Sequence, residues 1–193
     1  VLDAALRLVQ PDLALVVPTG NASSYKSRTL TAPEHRLALC ERAFADFPQV
    51  QICAVEACSC SPSYTIETLE HLERGSAQSI DWCLVLGGDQ MAHIQSWRRW
   101  RELLDKVTVL LAPRAGLDAA TQLQSRHNTA LCARLLHVPM PEKDVSSTAL
   151  RQQLAHWSAS HEADTGIGAS TAALTALLGA PVLRYIAAHS LYF

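Results

Sequence analysis

Apolar residues recur along this chain in two rhythms, and the alternation of the two predicts a layered α/β protein. Short, nearly continuous apolar runs stand at Leu13–Val17, Val50–Val55, Trp82–Leu86, Val107–Ala112 and Arg134–Val138. Runs of this length read as strands buried on both faces. Between them apolar positions return at helical spacing. The predicted helices cover residues 2–10, a stretch from Thr31-x-x-Glu34 to about Asp46, Tyr64–Arg74, Trp97–Asp105 and Leu117–Ser125, with three more near 146–157, 171–178 and 182–190. Thr31-x-x-Glu34 has the spacing of a capping box, with Pro33 in the first turn. Ser63 and Thr65 are candidate caps for the helix after Tyr64. Such alternation implies a parallel sheet with helices on both faces, closed by a C-terminal helical cap. We expect one domain over residues 1–193, its core at about 1–157 and its cap at about 171–193, with a linker-like stretch from Ser158 to Ser170 between them. Ligands bind beyond the carboxyl ends of parallel strands. That rule gathers the polar loops 21–26, 56–64, 87–97, 114–116 and 145–151 on one rim.

Composition narrows the function classes. The chain of 193 residues is 49% hydrophobic and 18% charged, with a net charge of −2. This is an ordinary globular balance, and it argues against a general nucleic-acid or membrane-surface binder. No apolar run reaches the length of a membrane span, and no secretory signal is expected. The six cysteines are scattered, and Cys58-x-Cys60 lacks zinc-site spacing. We therefore expect a reduced, cytoplasmic protein. The eight histidines form no His-Glu-x-x-His pattern, so no metal held by the protein alone is expected. Val1 is not an initiator methionine, and the Leu2, Ala5, Leu6, Val9 stripe starts without a convincing cap. The expectation is that residues precede it.

Candidate chemistry sits on the rim. Val145-Ser146-Ser147-Thr148-Ala149-Leu150-Arg151 opens a helix with three hydroxyl residues, one of them a natural cap, and places Arg151 one turn in. The free amides of a helix start favour an anion, and a guanidinium adds a bidentate grip, an arrangement suited to a polyphosphate. Gly87-Gly88-Asp89 follows a buried strand. Its glycines allow close backbone approach, and Asp89 could accept from a ribose or sit near magnesium. Trp97 to Trp100 with Arg98, Arg99 and Arg101 reads as a solvated helix face with both tryptophans packed inward, or as a single-stranded nucleic-acid patch. Neither Gly-x-x-x-x-Gly-Lys-Ser/Thr nor Gly-x-Gly-x-x-Gly occurs, which disfavours P-loop kinases and nicotinamide dehydrogenases.

Taken in order, these segments resemble bacterial nicotinate-nucleotide adenylyltransferase, of the nucleotidylyltransferase superfamily. Ser63 to Leu69 is similar to the family's Ser-Tyr-Thr-x-x-Thr-Leu segment, and Leu86 to Asp89 to its Ile-Gly-x-Asp turn, with Trp97 at the tryptophan that follows. Arg114 and Gly116 resemble its Arg-x-Gly loop. Residues 145–151 resemble its Ile-Ser-Ser-Thr-x-Ile-Arg signature, and Pro181 to Tyr192 its ending. Of the Pro-His-Lys loop only Lys26 carries over. The family's opening strand and Gly-x-Phe-Asp-Pro-x-His-x-Gly-His turn, roughly twenty residues, have no counterpart in the 193 residues. No catalytic residue is therefore assigned, and these residues alone are expected to fold poorly and be inactive.

The resemblance implies a Rossmann-like fold and transfer of the adenylyl group of ATP, travelling with Mg2+, to nicotinate mononucleotide. Gly87, Asp89, Ser146, Ser147, Thr148 and Arg151 would bind ATP. Tyr64, Thr65, Trp97, Lys26 and Arg114 would bind the acceptor. No nucleic acid or membrane is implied, and a homo-oligomer stays open. A nicotinamide mononucleotide or pantetheine phosphate acceptor, or an inactive nucleotide-binding remnant, are the alternative readings.

Overall fold

A computed structural model describes residues 1–20, 31–59, 61–113, 134–141, 146–161 and 169–192. The helix predicted at Leu117–Ser125 and the loops carrying Lys26 and Arg114 lie outside the described residues. The rest falls into two compact units: residues 1–12 with 62–144, and residues 13–61 with 145–193.

The first unit is built on β3 (Trp82–Gly87), β4 (Val107–Ala112) and β5 (Leu135–His137), a parallel sheet in the order β3-β4-β5. Trp82 stands opposite Val107, and Leu111 opposite His137. β4 is central, and five of its six residues are buried. On one face Val107, Val109 and Leu111 join Leu86 and the helices α3 (Thr65–Arg74), α4 (Gly88–Ala92) and α5 (Trp100–Lys106), through Ile66, Leu69, Met91, Leu103 and Leu104. On the other face Leu110 meets Ala5 of α1 (Leu2–Val9) and Val138. The central strand β4 is thus packed on both sides, which explains its continuous apolar run, while Cys83 and Val85 of β3 and Leu136 of β5 stay exposed. Each large aliphatic side chain sealed there stabilises the fold by ~1.5–3 kcal/mol.

The second unit pairs β1 (Ala14–Val16) in parallel with β2 (Val50–Ile52). It adds α2 (Pro33–Ala43) and three C-terminal helices, α6 (Ser147–His161), α7 (Ala169–Leu178) and α8 (Ala180–Ala188). Its core is helical: Leu154, Trp157, Leu174, Val182, Leu183 and Ile186, with Leu39 of α2 against them. The Trp157 indole N–H donates to the Thr171 hydroxyl at 2.9 Å, tying α6 to α7. His35 of α2 shares a 2.9 Å hydrogen bond with the Tyr185 hydroxyl of α8, and the Arg42 guanidinium lies 4.1 Å from the same ring centroid.

Several boundaries move from their expected places. α2 is capped by Ala32, without a side-chain bond, so the Thr31–Glu34 capping box does not form. Pro33 holds the first helical position, and the residue before a proline is driven to extended geometry, which makes Ala32 the cap. α3 starts after Tyr64, again without a side-chain cap from Ser63 or Thr65. Helix α6 continues to His161, four residues into the stretch expected as a linker. Among the described helices, no single one is long and apolar enough to cross a membrane.

Candidate active site

Tyr64 is the residue at which extended backbone turns into α3, with φ −125° and ψ 134°, and its carbonyl accepts from the Glu67 and Thr68 amides. Thr65 is the first residue of that helix. Both are half-buried. Trp97 closes a short 3-10 turn (Ile94–Ser96), its N–H donating to the Ile94 carbonyl at 2.9 Å. The tyrosine, Trp97 and Trp100 all pack, half-buried, on the apolar cluster beneath α3 and α5. The inward-packed reading of the two tryptophans is what the fold adopts.

The helix expected from Trp97 begins only at Trp100. Arg99 precedes it in a left-handed conformation, φ 50° and ψ 40°, which interrupts any helix running through it. Arg98 and Arg99 turn their side chains onto α3. Arg98 Nε lies 2.9 Å from Glu67 Oε1, and its guanidinium sits 4.8 Å from the Tyr64 ring centroid. Arg99 reaches Glu70 of α3 and Glu102 of α5 at 2.7 Å each. Lys106 Nζ binds Glu73 at 2.8 Å, and Glu73 also accepts from the Trp82 indole. Glu67, Glu70 and Glu73 recur every third residue and so line one face of α3. The Arg99 hydrogen bonds hold the Glu70 and Glu102 carboxyls below the usual carboxylate range. Sequence reasoning missed these acidic partners. The Glu-x-x-Glu-x-x-Glu spacing was the available signal.

Gly87 ends β3, and its N–H donates to the Gln90 side chain at 3.1 Å. A Cβ at this position would stand 2.7 Å from Asp89 Oδ1. The glycine therefore makes room for the carboxylate of Asp89, half-buried in the first turn of α4. Gly87 and Asp89 belong to the first unit, with Tyr64, Thr65 and Trp97.

Ser146, Ser147, Thr148 and Arg151 belong to the second unit. Ser146 is the cap: its hydroxyl accepts from the Ala149 amide at 3.1 Å, and its carbonyl from the Leu150 amide. The cap bond uses one orphan amide of the helix start and leaves the others in the first turn for solvent or an anion. Ser147, Thr148 and Arg151 are exposed. Arg151 Nη1 donates to the Ser147 carbonyl at 3.1 Å, and its guanidinium lies 5.7 Å from the Tyr192 ring centroid.

The fold therefore joins Tyr64 and Thr65 to the Trp97 segment through Arg98, and joins Ser146 to Arg151 on one helical turn. Each half has the chemistry for one kind of contact. The first offers an aromatic platform beside a helix start, and the second a hydroxyl- and guanidinium-lined anion grip.

The cytidylyltransferase-like family profile matches residues 1–153. A protein of Albidiferax ferrireducens, named a probable nicotinate-nucleotide adenylyltransferase, is 34% identical over 192 residues, 98% of this chain and 87% of its own length. One of Symbiobacterium thermophilum, named likewise, is 30% identical over 97% of this chain and 84% of its own. Among solved structures, nicotinic acid mononucleotide adenylyltransferase of Plasmodium falciparum, in complex with NaAD, superposes with a TM-score of 0.67 at 17% identity, covering 99% of this chain and 87% of that one. That likeness carries the fold: α/β, Rossmann-like, with a parallel sheet flanked by helices. The chain belongs to the cytidylyltransferase-like family, on the branch of the nicotinate-nucleotide adenylyltransferases.

Proposed function

We propose that this protein transfers the adenylyl group of ATP to nicotinate mononucleotide, giving nicotinate adenine dinucleotide and pyrophosphate in NAD biosynthesis. The observation that carries the reading is Arg98, next to Trp97, which pairs with Glu67 and lies over the Tyr64 ring and so fastens the Trp97 segment to the start of α3. Trp97 stacks on the pyridine ring, and backbone groups at Tyr64 and Thr65 read the nicotinate carboxylate. Ser146, Ser147, Thr148 and Arg151 grip the β- and γ-phosphates, and Gly87 and Asp89 serve the nucleotide. Lys26 and Arg114 meet phosphate on the acceptor side. Magnesium enters with ATP as part of the substrate.

An acceptor phosphate oxygen attacks the α-phosphorus in line. One P–O bond forms, the bond to the bridging β-oxygen breaks, and pyrophosphate leaves with the electron pair. Catalysis then rests on alignment and on charge stabilisation, with no covalent intermediate. Cys40, Cys53, Cys58 and Cys83 are free thiols, which fits work in the reducing cytoplasm. The test is pyrophosphate release with ATP and either nicotinate or nicotinamide mononucleotide. Faster turnover with the acid supports the assignment, while preference for the amide, or no turnover with either, overturns it.

A further inference from the structure

The Glu70–Arg99–Glu102 cluster lies outside the residues given to substrate, yet its geometry is more demanding than a surface ion pair requires. A side chain with a Cβ takes the left-handed conformation of Arg99 only where its surroundings hold it there. At Arg99 four side-chain hydrogen bonds accompany it. Nη1 and Nη2 donate to the two Glu70 oxygens at 3.1 and 2.7 Å, and Nε and Nη2 to the two Glu102 oxygens at 3.0 and 2.7 Å. Two forked pairs on one planar guanidinium fix its plane as well as its position. Glu70 is 29 residues away on α3, while Glu102 is in the first turn of α5, so the fork locks the start of α5 onto α3. Trp97 lies two residues upstream, and Arg98 between them reaches back to Tyr64 and Glu67.

We propose that Arg99 is a positioning residue for the acceptor site: its double fork sets the backbone path that aims the Trp97 indole beside the Tyr64–Thr65 turn. The proposal rests on the reading that Trp97 stacks on the acceptor ring. Returning Arg99 to right-handed geometry would redirect the chain between Trp97 and α5, and with it the indole. Exposed ion pairs add little to stability, so a purely stabilising cluster leaves substrate affinities alone, whereas a positioning one moves the affinity for one substrate only.

The experiment measures kcat and both KM values on the full chain for Arg99→Ala, Arg99→Lys, Glu70→Gln and Trp97→Ala. Losing an aromatic stack costs roughly 5–150-fold in affinity, and a misaimed indole loses part of it. Arg99→Ala is therefore expected to raise the acceptor KM about 10-fold with the ATP KM within about twofold. Arg99→Lys, which keeps the charge without the fork, should resemble it, and the milder Glu70→Gln should shift the same KM by less. Both KM values rising together, or neither rising while Trp97→Ala raises the acceptor KM, overturns the positioning role. A silent Trp97→Ala overturns the stacking reading, and the positioning role with it.

Discussion

Around Trp97, the cations Arg98, Arg99 and Lys106 each meet a glutamate of α3. At the start of α6, Ser147, Thr148 and Arg151 face outward, and among the described residues Arg151 has only a carbonyl one turn back and the Tyr192 ring. The contrast separates two ways of building a subsite. An aromatic platform must hold one orientation to stack, so its backbone is pinned from outside by ion pairs across two helices. A phosphate grip gains its order from the ligand, because a polyphosphate can draw an exposed guanidinium and unfilled amides into place. The first kind is damaged by changes at a distance, and the second chiefly by changes to the gripping residues themselves.

The largest break in this comparison comes from the platform. Stacking on an aromatic side chain is worth ~1–3 kcal/mol by alanine substitution, so Trp97→Ala should raise the acceptor KM by ~5–150-fold in initial-rate assays. The grip comes next. A hydrogen bond to a charged group contributes ~1.5–3 kcal/mol in favourable cases, and Arg151 is exposed, so Arg151→Ala should weaken ATP about 10-fold in isothermal titration. Ser146→Ala should lower stability by ~1 kcal/mol, seen as a reduced denaturant midpoint, because the Ala149 amide loses its acceptor.

The smallest effect is on pH. Glu70 and Glu102 have folded pKa values lowered from 4.5, so the contribution of their fork is present above the unfolded value and lost as pH falls through the folded one. The difference in acceptor affinity between the unaltered protein and Arg99→Ala, from which titration of the acceptor phosphate at pH ~6 cancels, should stay level from neutral pH to about 5 and shrink only below the ordinary carboxylate range.

The apolar rhythm made much of the fold legible. Val107–Ala112 is the strand that its continuous run predicts, because helices cover both of its faces. The helix at Trp97 began three residues late for a reason the local pattern does not contain. Trp97 is itself extended and Arg99 left-handed, and the Arg99 side chain is met by Glu70, 29 residues earlier in the chain. The same partnership explains the arginine-rich segment: Arg98 and Arg99 are answered by carboxylates on a neighbouring helix, and Arg101 lies over the Trp100 ring. At Thr31 the spacing of a capping box was present, but Pro33 fixed the start of α2 one residue later. That one of the three hydroxyls caps α6 was readable because capping is a contact within one turn, and the structure makes it Ser146. What stayed hidden in both regions was the pairing of distant side chains.

The most direct test of the two-subsite account is the pair of KM values, for nicotinate mononucleotide and for ATP, in Trp97→Ala and in Arg151→Ala. The account predicts a crossed result, with the tryptophan change raising only the acceptor KM and the arginine change only that of ATP. If either substitution weakens both substrates alike, or neither substitution weakens its own, the assignment of the two regions to the two substrates is wrong.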